Sequence, residues 1–339
     1  MSASVSGRAS VEVRRGETVE SLHRVSIAVV EADGRLRAHA GDADLVVFAR
    51  SAVKPVQAIA LIEDRAADRF GWSDRELALA CASHSGEPRH VEVVAAMLSS
   101  LGLSEDALAC GAHAPFDDAA ARELVRRGEK PTRLHNNCSG KHAGMLALAA
   151  AHGWPLRGYH DQKHPVQLRM LHELSRWSAT RTDAIPVAVD GCGVSTFALP
   201  LHALALSFAR LAMGARDRNG PAGRLIHAMA RHPELVGGTD RLCTALMQVA
   251  GGRIFAKVGA EGVYCAGETA GGIGIALKVE DGAKRAAEPA LIEVLRLLGL
   301  LTEEDMGQLA RYARPRVLNT RGDVVGALRA RVELETSYE

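Results

Sequence analysis

The stretch Ala49–Leu61, "ARSAVKPVQAIAL", decides how the chain is read. Its apolar residues recur at three- and four-residue spacing, which predicts a helix opening near Ser51. Pro55 suits a first helical turn, where backbone donors are unpaired anyway. Proline is also expected to push the preceding Lys54 away from relaxed helical angles. Residues three apart share a helix face, so Lys54 is placed to reach the Ser51 hydroxyl. N–H groups at such a strand-to-helix junction favour a developing oxyanion. A serine attacks carbonyls well only when a base takes its proton. A lysine is that base only if burial or a neighbouring cation keeps it neutral. Alone, the pair reads first as a capping serine beside a solvated lysine, so its weight depends on its surroundings.

Upstream, residues 10–50 are β-rich. "VEVRRG", "RVSIAVVEADGRLRAHAG" and "LVVFAR" gather β-branched residues around the turn signals Asp33-Gly34 and Gly41-Asp42. Downstream, about 54–250 carries helical spacing, from "VKPVQAIALIEDRAADRF" through "GKHAGMLALAAAHGW" and "HPVQLRMLHELSRWSAT" to "GPAGRLIHAMARHPELVGG". "IPVAVDGCGV" interrupts it as a buried strand ending in a glycine turn. Strands return over about 252–282 and, after the helical "EPALIEVLRLLGLL", over about 315–335. The expected fold is α/β of the α+β kind. A mixed, largely antiparallel sheet built from both termini packs against a helical middle, and 1–339 forms a single catalytic unit.

Composition narrows the function. With 339 residues, 47% of them hydrophobic, the chain can bury a large core. Its 41 Lys+Arg and 40 Asp+Glu nearly cancel, and aromatics are only 4%, so no nucleic-acid partner is expected. No apolar run has signal-peptide or membrane-spanning length, which predicts a soluble cytoplasmic protein without a membrane partner. Six sparse cysteines read as packed thiols, ligands or catalytic groups rather than disulfides.

Four further segments give the Ser51–Lys54 pair company. "CASHSGEPRH" presents Ser83, His84 and Ser85 before Gly86. "HNNCSGKHAGM" packs Cys138, Lys141 and His142 ahead of an apolar helix. "VAVDGCGV" places Asp190 and Cys192 just beyond a strand, and "FAKVGAEGVY" carries Lys257 on one. Singly, these read as a cap, packed thiols, an ordinary turn and a solvated charge. Together they form a polar set that is costly to place beside a core helix without satisfied partners. Two look-alikes fail. "NNCSGKHAG" lacks the first glycine and the Ser/Thr of a phosphate loop, and "AGGIGIALK" lacks the third glycine of a dinucleotide fingerprint.

"RSAVKPVQ", "CASHSGEPRH", "NNCSGKHAGM", "VDGCGV" and "KVGAEGVY", in that order from about Ser51 to Lys278, resemble the thermolabile, Rhizobium-type L-asparaginases of the asparaginase II family. The resemblance implies a β-lactamase/glutaminase-like fold and hydrolysis of L-asparagine to L-aspartate and ammonia. It implies two Ser–Lys pairs: Ser51 with Lys54, and Ser83 with Lys257, Lys278 being the runner-up. It implies zinc held by Cys138, Lys141 and Cys192, with Arg50, His142 and Asp190 lining the pocket, and a homodimer. Ser85 and Val258 stand where a β-lactamase has Asn and Thr, which argues against a penicillin substrate. Ser51 is the expected nucleophile, and the swapped assignment to Ser83 stays open. A glutaminase, a β-lactamase-like serine amidohydrolase and a zinc-water hydrolase are the alternative readings.

Overall fold

A computed structural model describes residues 7–336. The reading of the N-terminus as free of a signal-peptide core falls partly on residues 1–6, outside the described residues. The strands are β1 (Ala9–Arg15), β2 (Thr18–Glu31), β3 (Leu36–Ala40), β4 (Val46–Phe48), β5 (Val187–Val189), β6 (Ser195–Pro200), β7 (Ile254–Val258), β8 (Val263–Glu268), β9 (Ile273–Val279), β10 (Arg316–Leu318), β11 (Val324–Val332) and β12 (Glu335–Thr336). The main sheet runs β10-β11-β1-β2-β9-β8-β7, with β3 between β2 and β12. Every pairing is antiparallel. The expected union of both chain ends in one antiparallel sheet is therefore observed.

β2 explains how the ends meet. Its first half pairs with β1, while residues 25–31 pair with β9 and residues 27–30 with β3. Strands β7, β8 and β9 are buried along almost their whole length, so both faces are covered. Helix Leu201–Gly214 lies against β9, β2 and β8, and helix Lys284–Leu297 against β11, β9, β1 and β8. Gly274 permits the first contact, since a Cβ there would stand 1.9 Å from the Ala205 carbonyl.

Two expectations need correction. "LVVFAR" leaves the main sheet, because β4 pairs with β6 in a separate three-stranded sheet, β4-β6-β5. "IPVAVDGCGV" is not a buried strand; β5 is three residues long, with Val187 and Val189 exposed at the edge of that small sheet. The six cysteines are all buried and free. No helix among the described residues is long and apolar enough to cross a membrane.

Candidate active site

Ala49 is held from two sides. Its N–H donates to the Phe197 carbonyl of β6 at 2.9 Å. A Cβ on Gly259, just past β7, would lie 3.0 Å from the Ala49 carbonyl. Arg50 then takes φ +49, a left-handed conformation that side chains other than glycine rarely adopt. Arg50–Val53 form one 3-10 turn, and helix Lys54–Glu63 continues from it. Ser51 does not cap that helix, and its hydroxyl makes no hydrogen bond among the described residues. Lys54 keeps right-handed helical angles, φ −55 and ψ −38, so the expected displacement by Pro55 does not occur.

The contacts of the Lys54 side chain lie in the interior. Lys54 is 1% exposed, and its Nζ donates to Ser83 Oγ at 2.9 Å, to Cys138 Sγ at 3.2 Å and to the Ala82 carbonyl. Burial lowers its pKa from the ordinary lysine value. Among the described residues Lys54 forms no hydrogen bond with the Ser51 hydroxyl, one helical turn earlier. Ser83 is buried and Ser51 half-buried.

Lys257 on β7 is fully buried and donates to the Val258 carbonyl at 2.8 Å. Burial, with the charge of Lys54 adding to it, pushes its amine down to about 7. No hydrogen bond joins it to Ser83. Lys278 is turned outward, with its Nζ on the Glu261 and Val279 carbonyls. Of the two candidates for the second lysine, Lys257 is thus the internal one, and it joins Lys54 and Lys141 as a buried amine.

Helix Ser139–His152 carries the next groups. Lys141 Nζ donates to Cys192 Sγ at 3.1 Å and stands 3.9 Å from Asp190 Oδ2. Cys192 Sγ also stands 3.6 Å from Asp190 Oδ2. Interaction with Cys138, against the cost of burial and helped by Lys141, pulls Cys192 down to about 5. The same interaction and burial push Cys138 up to about 12. Burial alone would lower Lys141, but Cys192, Cys138 and Asp190 hold it above the ordinary lysine value.

No group of three or more His, Cys, Asp or Glu side chains among the described residues is arranged to hold a metal ion. The set implied for zinc is of another kind, two thiols and an amine. Cys138 and Cys192 are buried thiols, Cys192 Sγ lies 3.1 Å from Lys141 Nζ, and sulfur is a good zinc donor; an incoming cation would take the place of the Lys141 proton. The donor chemistry fits the ion.

Arg50 Nε donates to Asp190 Oδ1 at 2.6 Å. Burial would raise Asp190, but Lys141 and Arg50 hold it below the usual carboxylate range. His142 is fully buried; its Nδ1 faces the Tyr159 hydroxyl at 2.6 Å, and its Nε2 has no hydrogen-bond partner among the described residues. Ser85, the second serine of "SHS", turns to the loop beyond residue 236, donating to Gly237 O at 3.0 Å and accepting from Arg241 at 3.4 Å. Sequence reasoning missed Tyr159, Gln167 and Arg241. Tyr159 is one of only four tyrosines, which was the available signal.

The geometry therefore gathers Arg50, Ser51, Lys54, Ser83, Cys138, Lys141, His142, Asp190, Cys192 and Lys257 around one junction. The L-asparaginase II family model matches residues 11–330. The chain belongs to the L-asparaginase II family. Membership makes it an amidohydrolase. No curated protein matches it. Solved structures similar to the chain include native Mglu, at 16% identity over 84% of this chain and 66% of that one, with TM-score 0.47. A Bacillus glutaminase in 4.3 M NaCl shows 16% identity over 81% and 91%, with TM-score 0.30. A mutant simvastatin synthase from Aspergillus terreus shows 13% over 75% and 84%, with TM-score 0.35. This asparaginase II chain spans about two-thirds of the length of native Mglu.

Proposed function

We propose that the chain is an L-asparaginase that hydrolyses L-asparagine to L-aspartate and ammonia through a serine acyl-enzyme. The observation that carries this reading is the dehydrated amine of Lys54, 2.9 Å from Ser83 and one turn after the free hydroxyl of Ser51. Its three donated hydrogen bonds belong to the ammonium, and burial, by lowering its pKa, eases the loss of one proton that leaves an amine able to accept.

Ser51 Oγ attacks the side-chain amide carbon while its proton passes to Lys54. That proton moves through Ser83 to the departing nitrogen, which leaves as ammonia. Water then attacks the β-aspartyl ester, gives its proton to the same relay, and restores Ser51. The bonded pair Arg50–Asp190 supplies both charges that an amino-acid head group requires, Asp190 for the α-ammonium and Arg50 for the α-carboxylate. Lys257, close enough to Lys54 for their charges to act on each other, tunes the relay electrostatically. Cys138, Lys141 and Cys192 would hold zinc, which when bound would help to orient substrate as a Lewis acid. Residues from 50 to 257 contribute to one site, which supports reading the chain as a single catalytic unit. A homodimer and a cytoplasmic location belong to the same proposal.

The Lys54–Ser83 bond favours one second reading, in which Ser83 is acylated. Burial of Ser83 leaves less room for substrate there than at Ser51. The test is brief mixing with L-asparagine, intact mass and peptide mapping, alongside ammonia release from asparagine and glutamine. An adduct on the Ser51 peptide with preference for asparagine is expected. An adduct at Ser83 swaps the roles, and preference for glutamine makes the protein a glutaminase.

A further inference from the structure

His142 ends in a buried ring nitrogen without a protein partner among the described residues. The residue is fully buried, and its Nε2 finds no hydrogen bond. Its other nitrogen is fixed. Tyr159, 1% exposed, accepts from the Ala109 N–H at 2.8 Å and faces His142 Nδ1 at 2.6 Å. The Ala109 bond uses a tyrosine lone pair, and no other acceptor among the described residues takes the phenol proton. That proton therefore points at Nδ1, which must be the bare nitrogen, and the ring proton sits on Nε2. The two rings meet edge-on at 78°, with centroids 5.6 Å apart.

Tyr159 is itself held in place. Gln167 Nε2 donates to the Tyr159 carbonyl at 2.8 Å, while Gln167 Oε1 accepts from the Ser195 N–H at 3.2 Å. Gln167 is 1% exposed, so this brace ties Tyr159 to the strand that follows Cys192. A buried N–H left without an acceptor costs its full desolvation penalty, so a donor kept this way beside Lys141 is explained by an acceptor that arrives with the ligand.

We propose that Tyr159 is a positioning residue that locks His142 as the Nε2–H tautomer, and that this N–H donates to a carboxylate oxygen of the amino-acid substrate. The identity of the acceptor rests on the asparaginase reading; the tautomer does not. His142 then adds a neutral donor to the charged grip of Arg50, without adding a third cation beside Lys141.

The first test is made without substrate. Long-range NMR on protein labelled with [15N]histidine, with His142 assigned by its loss in His142→Gln, is expected to show a bare, hydrogen-bonded Nδ1 and a protonated Nε2. Tyr159→Phe should erase the Nδ1 hydrogen-bond signature. A protonated Nδ1 in the unmodified protein overturns the proposal, whether or not the variant folds. The second test is steady-state kinetics on asparagine. Tyr159→Phe should raise KM about tenfold or more, with kcat falling less, as expected for loss of a hydrogen bond to a charged group. His142→Gln, whose amide nitrogen can reach the Nε2 position, should keep a lower KM than His142→Asn. An unchanged KM in Tyr159→Phe, or Asn outperforming Gln, removes the donor role. The expected tautomer in a protein that releases no ammonia sinks the asparaginase reading while leaving the action of Tyr159 on His142 established.

Discussion

The Lys54 amine rests on the Ser83 hydroxyl, 2.9 Å away, rather than on Ser51 in its own sequence motif. The pairing follows from the conformation of residue 54. A lysine with helical angles on a helix buried from Lys54 to Ile62 sends its side chain inward, where Ala82, Ser83 and Cys138 wait. The Ser-x-x-Lys spacing thus brings a base to the site, while a second segment supplies its hydrogen-bond partner.

Removing each serine separates nucleophile from relay. Ser51→Ala should lower kcat by about 10³-fold or more. Its melting temperature should stay unchanged, because the Ser51 hydroxyl bonds to nothing that the fold needs. Ser83→Ala should lower kcat by about 10²–10⁴, the usual worth of a positioned proton carrier. In that variant the slow adduct should still map to Ser51. Peptide mapping of both variants after asparagine addition checks this, and an adduct at residue 83 in Ser51→Ala would reverse the roles.

Lys257 should write its titration into the pH profile. Its amine is pushed down to about 7, and its loss of charge removes a cation from the neighbourhood of Lys54, so kcat/KM should climb between pH 6 and 8 and level off above. The folded value lies below the ordinary 10.5, so the unfolded chain binds the extra proton. Stability from this group therefore rises with pH from about 7 to 10.5, by at most ~1.4 kcal/mol per unit, and the penalty is fully present below 7. Lys257→Met should abolish the rate limb and flatten the stability slope in urea unfolding at pH 7 and 9. A limb that survives in Lys257→Met belongs to another group.

Much of this architecture was legible in the chain, and the failures share a cause. Alternating and β-branched residues placed β1, β2 and β7 to β9 correctly, because buried strands leave a strong pattern. Val46–Phe48 and Val187–Val189 carry the same residue types, yet pairing with β6, distant in sequence from the first and close to the second, decides their sheet and their exposure. In the site, residue identities were readable but partners were not. Nothing in the spacing of Ser51 and Lys54 says that Ser83, 29 residues beyond Lys54, takes the amine. Tyr159 escaped notice for the same reason, since its importance lies in a bond to a ring 17 positions away.

The cysteine cluster makes a separate prediction. Protein prepared with zinc should retain about one ion per chain, and Cys192→Ser should lose most of it. Chelation should raise KM for asparagine while saturating substrate still acylates Ser51, because the serine and the amines perform the bond-making. Elemental analysis paired with adduct trapping checks both halves. If the metal-free protein formed no adduct even at saturation, a zinc-water hydrolase would be the better account.

Two glycines on helix Ser139–His152 test how closely that helix must seat. A Cβ at Gly140 would stand 2.3 Å from the Leu79 carbonyl oxygen and 3.0 Å from its carbon, atoms that cannot rotate away. Gly140→Ala should force the helix off the neighbouring one, costing about 1–3 kcal/mol of stability, the usual range for overpacking. Lys141 and His142 would move with it, so kcat/KM should fall as well. A Cβ at Gly144 meets Leu61 Cδ1 at 3.3 Å and Ala80 Cβ at 3.6 Å, side-chain atoms with room to give. Gly144→Ala should therefore be neutral or gain up to about 1 kcal/mol from helix propensity, with activity kept. Urea unfolding and initial rates on both variants decide the matter. Equal tolerance at the two positions would mean that the placement of Lys141 and His142 does not depend on the close approach at Leu79.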